Sequence, residues 1–327
     1  MTRIGVIGGG AWGTALAQVA AANGPVTLWA REPEVVDSIN RARVNEAFLP
    51  GVRLDGRVRA TGDLAELGDC DAWLVVTPAQ FLRAVLAGAP TDAARPLVLC
   101  SKGIEAGTGE LMSEVAADAA PGAPVAVLSG PTFAHEVAGG LPTAITLACA
   151  DEAVGERLAA RLARPGFRPY WTDDVIGAEV GGAVKNVLAI ACGVVVGRGL
   201  GENAKAALIA RGFAEMGRFG AAKGARASTL GGLSGLGDLV LTCSSQQSRN
   251  MSLGMGLGQG RRAAELLAER RTVAEGAHTA PVLLAAARRL GVEMPITQAV
   301  VDLLDGAISA DAAIERLLSR PLRAEGV

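Results

Sequence analysis

The sequence has two histidines, five cysteines in no C-x-x-C pair, and no excess of charge of either sign. Each shortage closes a class of function. Two histidines are too few for most His-based metal centres, so no metal is expected. Cys70, Cys100, Cys149, Cys192 and Cys243 are odd in number and widely spaced. That fits reduced thiols in a cytosolic protein better than a disulfide framework or a zinc site. The formal net charge is −2 over 327 residues, which gives no electrostatic basis for nucleic acid or an anionic membrane surface as a general partner. Any anion must be held by a local arrangement of donors. The chain opens MTRIGVIGGG, without the long apolar region and cleavage site of a secretory signal. A cytoplasmic protein is expected.

One stretch, residues 180–197, reaches the roughly 18 apolar residues that can span a bilayer. Lys185 and Asn186 lie inside it, and Glu179 and Arg198 close its ends. A lysine at the centre of a span costs about 2.5–3.5 kcal/mol on insertion scales. The stretch therefore reads as a buried core helix, and no membrane insertion is expected.

The rest of the chain is that of a globular enzyme, with 50% apolar and 20% charged residues and length enough for two domains. Residues 2–7 read as a strand, 11–23 as an Ala-rich helix stopped at Asn23-Gly24, and 26–30 as a second strand, which makes one βαβ unit. Buried strands follow at 72–77, 96–101, 124–129 and 143–149, with helices between most of them. This alternation predicts a doubly wound, Rossmann-type parallel sheet covered on both faces, in an α/β class. After Trp171 the pattern changes. Asp173 and Asp174 read as an N-terminal cap, and helix-length segments at 176–197, 202–222, 261–270 and 279–290 follow, with no convincing strand. The division expected is a dinucleotide-binding domain at 1–174 and an all-helical substrate domain at 175–327.

Gly8-Gly9-Gly10-Ala11-Trp12-Gly13 satisfies G-x-G-x-x-G between a strand and a helix. Gly8 makes the tight turn, Gly10 lets a pyrophosphate approach the backbone, and Gly13 permits close helix–strand packing. The helix N-terminus adds free N–H groups and a positive dipole end. The second strand ends at Arg31, where an NAD-selective site usually carries an acid; arginine suits a 2′-phosphate, although Glu32 and Glu34 stand beside it. NADP is the favoured cofactor, with NAD tolerated.

In a doubly wound sheet, ligands sit beyond the carboxyl ends of the strands. The strand ending LVLCS runs into Lys102-Gly103, and the strand ending VAVLS runs into Gly130-Pro131-Thr132. Lys102 would bring a charge to that crevice, and Gly130 and Thr132 an N–H and a hydroxyl. Lys185 is the single charge of its apolar stretch, and burying an ammonium is costly without a purpose. Gly181 and Gly182 lie on its helical face and leave room for a ligand or another backbone. Downstream, Asp238 follows a glycine-rich stretch, and Ser248-Arg249-Asn250 groups a hydroxyl, a five-donor fork and an amide suited to a phosphate monoester. His135 and His278 read as structural. These residues point to a dehydrogenase of a small phosphorylated substrate. A dehydrogenase of a hydroxy acid or an acyl-CoA, and a non-catalytic dinucleotide sensor, are the alternatives.

Taken in order, GGGAWGTALA, SKGIE, LSGPTFAHEV, GGAVKNVLAIACG, GLGDLVLTCSSQQSRN and TVAEGAHTA resemble the blocks of the bacterial NAD(P)-dependent sn-glycerol-3-phosphate dehydrogenases, across essentially the whole chain. The resemblance implies reversible hydride transfer between NAD(P)H and dihydroxyacetone phosphate, giving sn-glycerol 3-phosphate for glycerophospholipid synthesis. It implies Lys185 as the catalytic acid/base. Lys102, Gly130, Thr132, Asp238, Ser248, Arg249 and Asn250 match substrate-contacting positions. Trp12, Arg31, Lys102, Ala134, Arg249, Val273 and Glu275 match cofactor-contacting ones, beside Gly8, Gly10, Ala11 and Gly13 of the turn. Where this chain has Ala11 the family commonly has Ser, so one hydroxyl near the pyrophosphate is missing. By analogy with related two-domain dehydrogenases a homodimer is expected.

Overall fold

Eight strands form one sheet: β1 (Ile4–Ile7), β2 (Val26–Trp29), β3 (Val58–Thr61), β4 (Ala72–Val75), β5 (Leu97–Leu99), β6 (Val125–Ser129), β7 (Thr143–Cys149) and β8 (Phe167–Thr172). The computed structural model describes residues 2–269 and 274–321. The spatial order is β3-β2-β1-β4-β5-β6-β7-β8. The order reverses between β1 and β4, which is the switch point where such sheets open a ligand crevice. Strands β1 to β6 are mutually parallel, so Gly8, Arg31, Thr77, Lys102 and Gly130 all follow strand ends on one edge.

Helices α1 (Ala11–Ala21), α2 (Pro33–Ala42), α3 (Leu82–Ala87), α4 (Met112–Ala119), α5 (Ala134–Ala138) and α6 (Glu152–Leu162) are interleaved with the strands. Both faces of the sheet are covered. Val6, Leu28, Leu74, Val98 and Leu128 pack to one side, and Ile7, Trp73, Val75, Leu99 and Val127 to the other. This is the period of two that a pleated strand imposes.

Three features correct the sequence reading. The sheet is not parallel throughout, because β7 runs antiparallel to β6. The link between them holds only α5, whose five residues rise about 7.5 Å. That is too short to carry the chain back past a strand, so β7 starts from the edge where β6 ended. The two edge strands β3 and β8 were not anticipated. They read VRAT and FRPYWT, and their solvated faces and Pro169 break the apolar pattern of inner strands; an edge tolerates both.

Among the described residues every helix beyond β8 belongs to one bundle: α7 (Val175–Gly197), α8 (Gly201–Lys223), α9 (Ala227–Leu230), α10 (Asp238–Ser244), α11 (Arg249–Gly258), α12 (Ala263–Ala268), α13 (Glu275–Arg289), α14 (Pro295–Leu304) and α15 (Ala310–Leu318). Asp174 alone caps α7, accepting from Gly177 N at 2.9 Å, while Asp173 pairs with Arg226. The expected helix at 261–270 is shorter, and the one expected at 279–290 begins at Glu275 and runs through Pro281. Helix α7 is apolar enough to cross a membrane, but 89% of its most apolar window is buried inside the protein.

Helices α7 and α11 lie side by side in parallel, with backbone meeting backbone. A Cβ on Gly193 would stand 2.1 Å from Met251 O, one on Gly254 1.9 Å from Ile190 O, and one on Gly258 2.5 Å from Val194 O. Only residues without side chains permit this approach. It sets the N-terminus of α11 against the middle of α7, beside Lys185 and Asn186.

Candidate active site

The buried centre of the site is a carboxylate held between two ammonium groups. Asp238, the first residue of α10, is 1% exposed. Lys185 Nζ, from α7, donates to Asp238 Oδ1 at 2.5 Å, and Lys102 Nζ, from the end of β5, donates to Oδ2 at 2.6 Å. Thr242 lies one turn after Asp238. Its Oγ1 accepts from Lys185 Nζ at 2.9 Å and donates to Asp238 Oδ1 at 3.2 Å. Lys102 also donates to the Gly130 carbonyl at 3.3 Å, and so does Thr132 Oγ1. Strand ends of the sheet and two helices of the bundle thus converge on one point.

Two cations and one anion leave this cluster with a net charge of +1. Burial is the largest influence on Lys185 and pushes its pKa down to about 8; Asp238 pulls it up and Lys102 pushes it further down. Burial would raise the Asp238 pKa, but Lys102 and then Lys185 outweigh it and hold the carboxyl below its ordinary value. The site therefore carries a fixed anion and a lysine that can be charged or neutral near physiological pH. A negative charge developing on a nearby oxygen would be stabilised by the surplus positive charge.

Of the two purposes considered for the glycines before Lys185, Gly181 serves the close approach of another backbone. A Cβ on Gly181 would stand 2.4 Å from Ser234 O, so the π-helical turn Leu233–Gly237 rests on α7 there and leads directly into Asp238. Such turns recur at functional sites. Gly182 instead faces the Ser129 hydroxyl and the Lys102 stem. Ser129 Oγ, at the end of β6, is buried and has no hydrogen-bond partner among the described residues.

The Ser-Arg-Asn triplet opens α11. Ser248 is the N-cap, its Oγ accepting from Met251 N at 3.2 Å. Arg249, the first helical residue, is exposed. Asn250 turns inward, donating to Asn186 Oδ1 at 3.0 Å and accepting from Gly276 N at 3.0 Å. It ties α11 to α7 and to the start of α13. Glu275 begins α13. Enclosure raises its pKa to about 7, against the opposing pull of Arg249 and of an N–H from Ala79. Arg249 and Glu275 thus sit within electrostatic reach of each other and of the loop after β4.

At the other end of the crevice, Gly8 has a φ of +125° and Gly13 lies so near Gly8 O that a Cβ would stand 1.9 Å from it. Nothing lies within 4 Å of where a Cβ on Gly10 would be. Among the described residues no side chain caps helix α1, so its first N–H groups remain for an anion. This arrangement fits the pyrophosphate of a dinucleotide. Ala11, Trp12 and Ala134 are partly exposed around it. Arg31 is 78% exposed and pairs with Glu32 at 2.8 Å. Val273 lies outside the described residues.

His135 and His278 are both exposed. Thr242, Asn186 and Ser129 escaped the sequence reading. Thr242 could have been found from its spacing to Asp238, and Asn186 as the only uncharged polar side chain beside Lys185 in the apolar run. Ser129 carried no signal. Among the described residues no group of three or more His, Cys, Asp or Glu side chains is placed to hold a metal ion, and all five cysteines are free.

A doubly wound sheet with a glycine turn at its switch point, closed by a helical bundle that brings in a buried lysine, defines a nicotinamide-dependent dehydrogenase. Residues 3–155 match the family described as NAD-dependent glycerol-3-phosphate dehydrogenase N-terminus, and residues 174–315 match its C-terminus. The chain is 62% identical over 324 residues to a glycerol-3-phosphate dehydrogenase, NAD(P)+, of Erythrobacter litoralis, covering 99% of this chain and 98% of that one. It is 63% identical over 325 residues to one of Novosphingobium aromaticivorans, with the same coverage. Its fold superposes on the crystal structure of a glycerol-3-phosphate dehydrogenase from Coxiella burnetii with a TM-score of 0.93 at 39% identity, covering 98% of this chain and 99% of that one. The chain belongs to the NAD(P)-dependent glycerol-3-phosphate dehydrogenase family. It is an oxidoreductase that uses NAD or NADP and acts on a small phosphorylated substrate.

Proposed function

We propose the following assignment of roles for the interconversion of dihydroxyacetone phosphate and sn-glycerol 3-phosphate. The observation that carries it is the Lys102–Asp238–Lys185 cluster, which joins the loop after β5 to α7 and α10. Gly8, Gly10, Ala11, Trp12 and Gly13 hold the pyrophosphate side of the cofactor. Arg31, Lys102, Ala134, Arg249 and Glu275 contact the rest of it, and the exposed Arg31 exchanges its Glu32 partner for a 2′-phosphate, which favours NADP. Ser248, Arg249 and Asn250 anchor the substrate phosphate, with Lys102, Gly130 and Thr132 on its other side.

Bound NADPH supplies a hydride to C2 of the ketone. As charge develops on the C2 oxygen, Lys185 donates its ammonium proton there. In the reverse direction the neutral amine of Lys185 removes the hydroxyl proton. Asp238 keeps that amine in place, itself held by Lys102 and Thr242. The phosphate anchor supplies binding energy remote from the reacting carbon. The sheet unit through residue 174 carries the cofactor and the bundle from 175 carries the proton donor. The enzyme works as a homodimer in the cytoplasm and feeds glycerophospholipid synthesis.

The test is NADPH oxidation with dihydroxyacetone phosphate against unphosphorylated dihydroxyacetone. Only the phosphorylated ketone is expected to turn over efficiently. Arg249→Ala is expected to raise its KM by about tenfold to a hundredfold, the loss of a charge-assisted contact of about 1.5–3 kcal/mol. Equal turnover of both ketones, or an unchanged KM in the variant, would remove the phosphate anchor from the account.

A further inference from the structure

Asn45 lies in the loop after α2 and is fully buried beneath the glycine turn. Its Nδ2 donates to the Gly9 carbonyl at 2.7 Å and to Thr14 Oγ1 at 2.8 Å. Its Oδ1 accepts from Phe48 N at 3.1 Å. The orientation of the amide is unambiguous, because a carbonyl can only accept and a backbone N–H can only donate. Thr14 Oγ1 reaches the same Gly9 carbonyl at 3.4 Å. The turn carbonyl is thus drawn inward by two side-chain donors, one on α1 and one on a loop more than thirty residues away.

The consequence lies on the other side of the peptide. Among the described residues no peptide bond is cis, and in a planar trans unit the C=O and the following N–H point in opposite directions. Holding Gly9 O inward therefore aims the Gly10 N–H outward, and among the described residues nothing lies within 4 Å of where a Cβ on Gly10 would stand. Without an inward partner this peptide could rotate, since both of its residues are glycines. A buried apolar residue at position 45 would fill the same volume but leave the Gly9 carbonyl with only the longer contact from Thr14 at 3.4 Å.

We propose that Asn45 is a positioning residue for the nicotinamide cofactor: it locks the Gly9–Gly10 peptide so that the Gly10 N–H faces the pyrophosphate. This rests on the reading of the glycine turn as the pyrophosphate site. An asparagine is required because the position must donate twice and accept once. An aspartate has the same shape but no donor when ionised and only one when protonated, never the two this position uses.

The experiment compares Asn45→Asp, Thr14→Val and Gly10→Val with the unaltered chain. NADPH Kd is read by fluorescence titration, and KM and kcat by NADPH oxidation. Asn45→Asp is expected to raise the NADPH Kd and KM about tenfold, the loss of two neutral hydrogen bonds. Its kcat at saturating NADPH and its KM for dihydroxyacetone phosphate should stay within about twofold, a split that a general loss of structure would not produce. Thr14→Val should shift the NADPH Kd in the same direction by about threefold. It decides the matter should Asn45→Asp fail to fold. An unchanged NADPH Kd in folded Asn45→Asp, or failing that in Thr14→Val, overturns the positioning role while weak binding by Gly10→Val leaves the turn assignment standing. Normal NADPH binding by Gly10→Val overturns the turn assignment and this inference with it.

Discussion

Lys185→Ala is expected to lower kcat for dihydroxyacetone phosphate reduction by at least about 10²–10⁴-fold, the range contributed by a positioned general acid. The NADPH Kd should change little, since the glycine turn lies on the sheet and does not include Lys185. The fold should survive. Asp238 retains Lys102 as its counterion at 2.6 Å, and the truncated cluster becomes neutral instead of carrying a surplus charge. Single-turnover measurement with saturating NADPH separates the chemical step from binding. Turnover close to that of the unaltered chain would take Lys185 out of the mechanism.

Asp238→Asn should be nearly as damaging, for a different reason. The amide keeps the shape but removes the anion between two ammonium groups that are both largely buried. Breaking a buried charge pair from one side typically costs about 3–5 kcal/mol, because the partner is left uncompensated. The thermal midpoint should therefore drop. Asp238 is also the group that holds the Lys185 pKa up against burial, so the alkaline fall of the remaining reduction activity should begin at lower pH. Those two shifts should appear together with a fall in kcat of about a hundredfold or more. An Asp238→Asn protein with unaltered midpoint and pH profile would show that the ion cluster neither stabilises the fold nor tunes the lysine.

What the sequence reveals about this protein depends on distance along the chain. The glycine turn is legible because strand, turn and helix are contiguous, and the two strand ends at Lys102 and Gly130 follow from the apolar runs before them. Lys185 stands out because one charge in residues 180–197 needs a reason. What cannot be read is the pairing of parts far apart. Asp238 reaches Lys185 across 53 residues and Lys102 across 136. The glycines of α7 and α11 look like helix breaks until the two helices are laid side by side. Asn45 gives no signal at all, since an isolated asparagine after a helix is ordinary turn chemistry. The edge strands β3 and β8 are hidden for a related reason. A strand with one neighbour needs no apolar alternation, so its pattern records solvent as much as sheet.

The account rests on Lys185 exchanging a proton with the reacting oxygen, and the pH dependence of kcat/KM in both directions tests this most directly. Reduction needs the ammonium form. With the pKa lowered to about 8, kcat/KM for dihydroxyacetone phosphate should be flat below that pH and fall about tenfold per unit above it. Oxidation of sn-glycerol 3-phosphate needs the neutral amine, so its kcat/KM should rise about tenfold per unit up to pH 8 and level off beyond. Mirror-image profiles crossing near pH 8 are the predicted result. Profiles that move in the same direction, or that show no titration between pH 7 and 9, would contradict it.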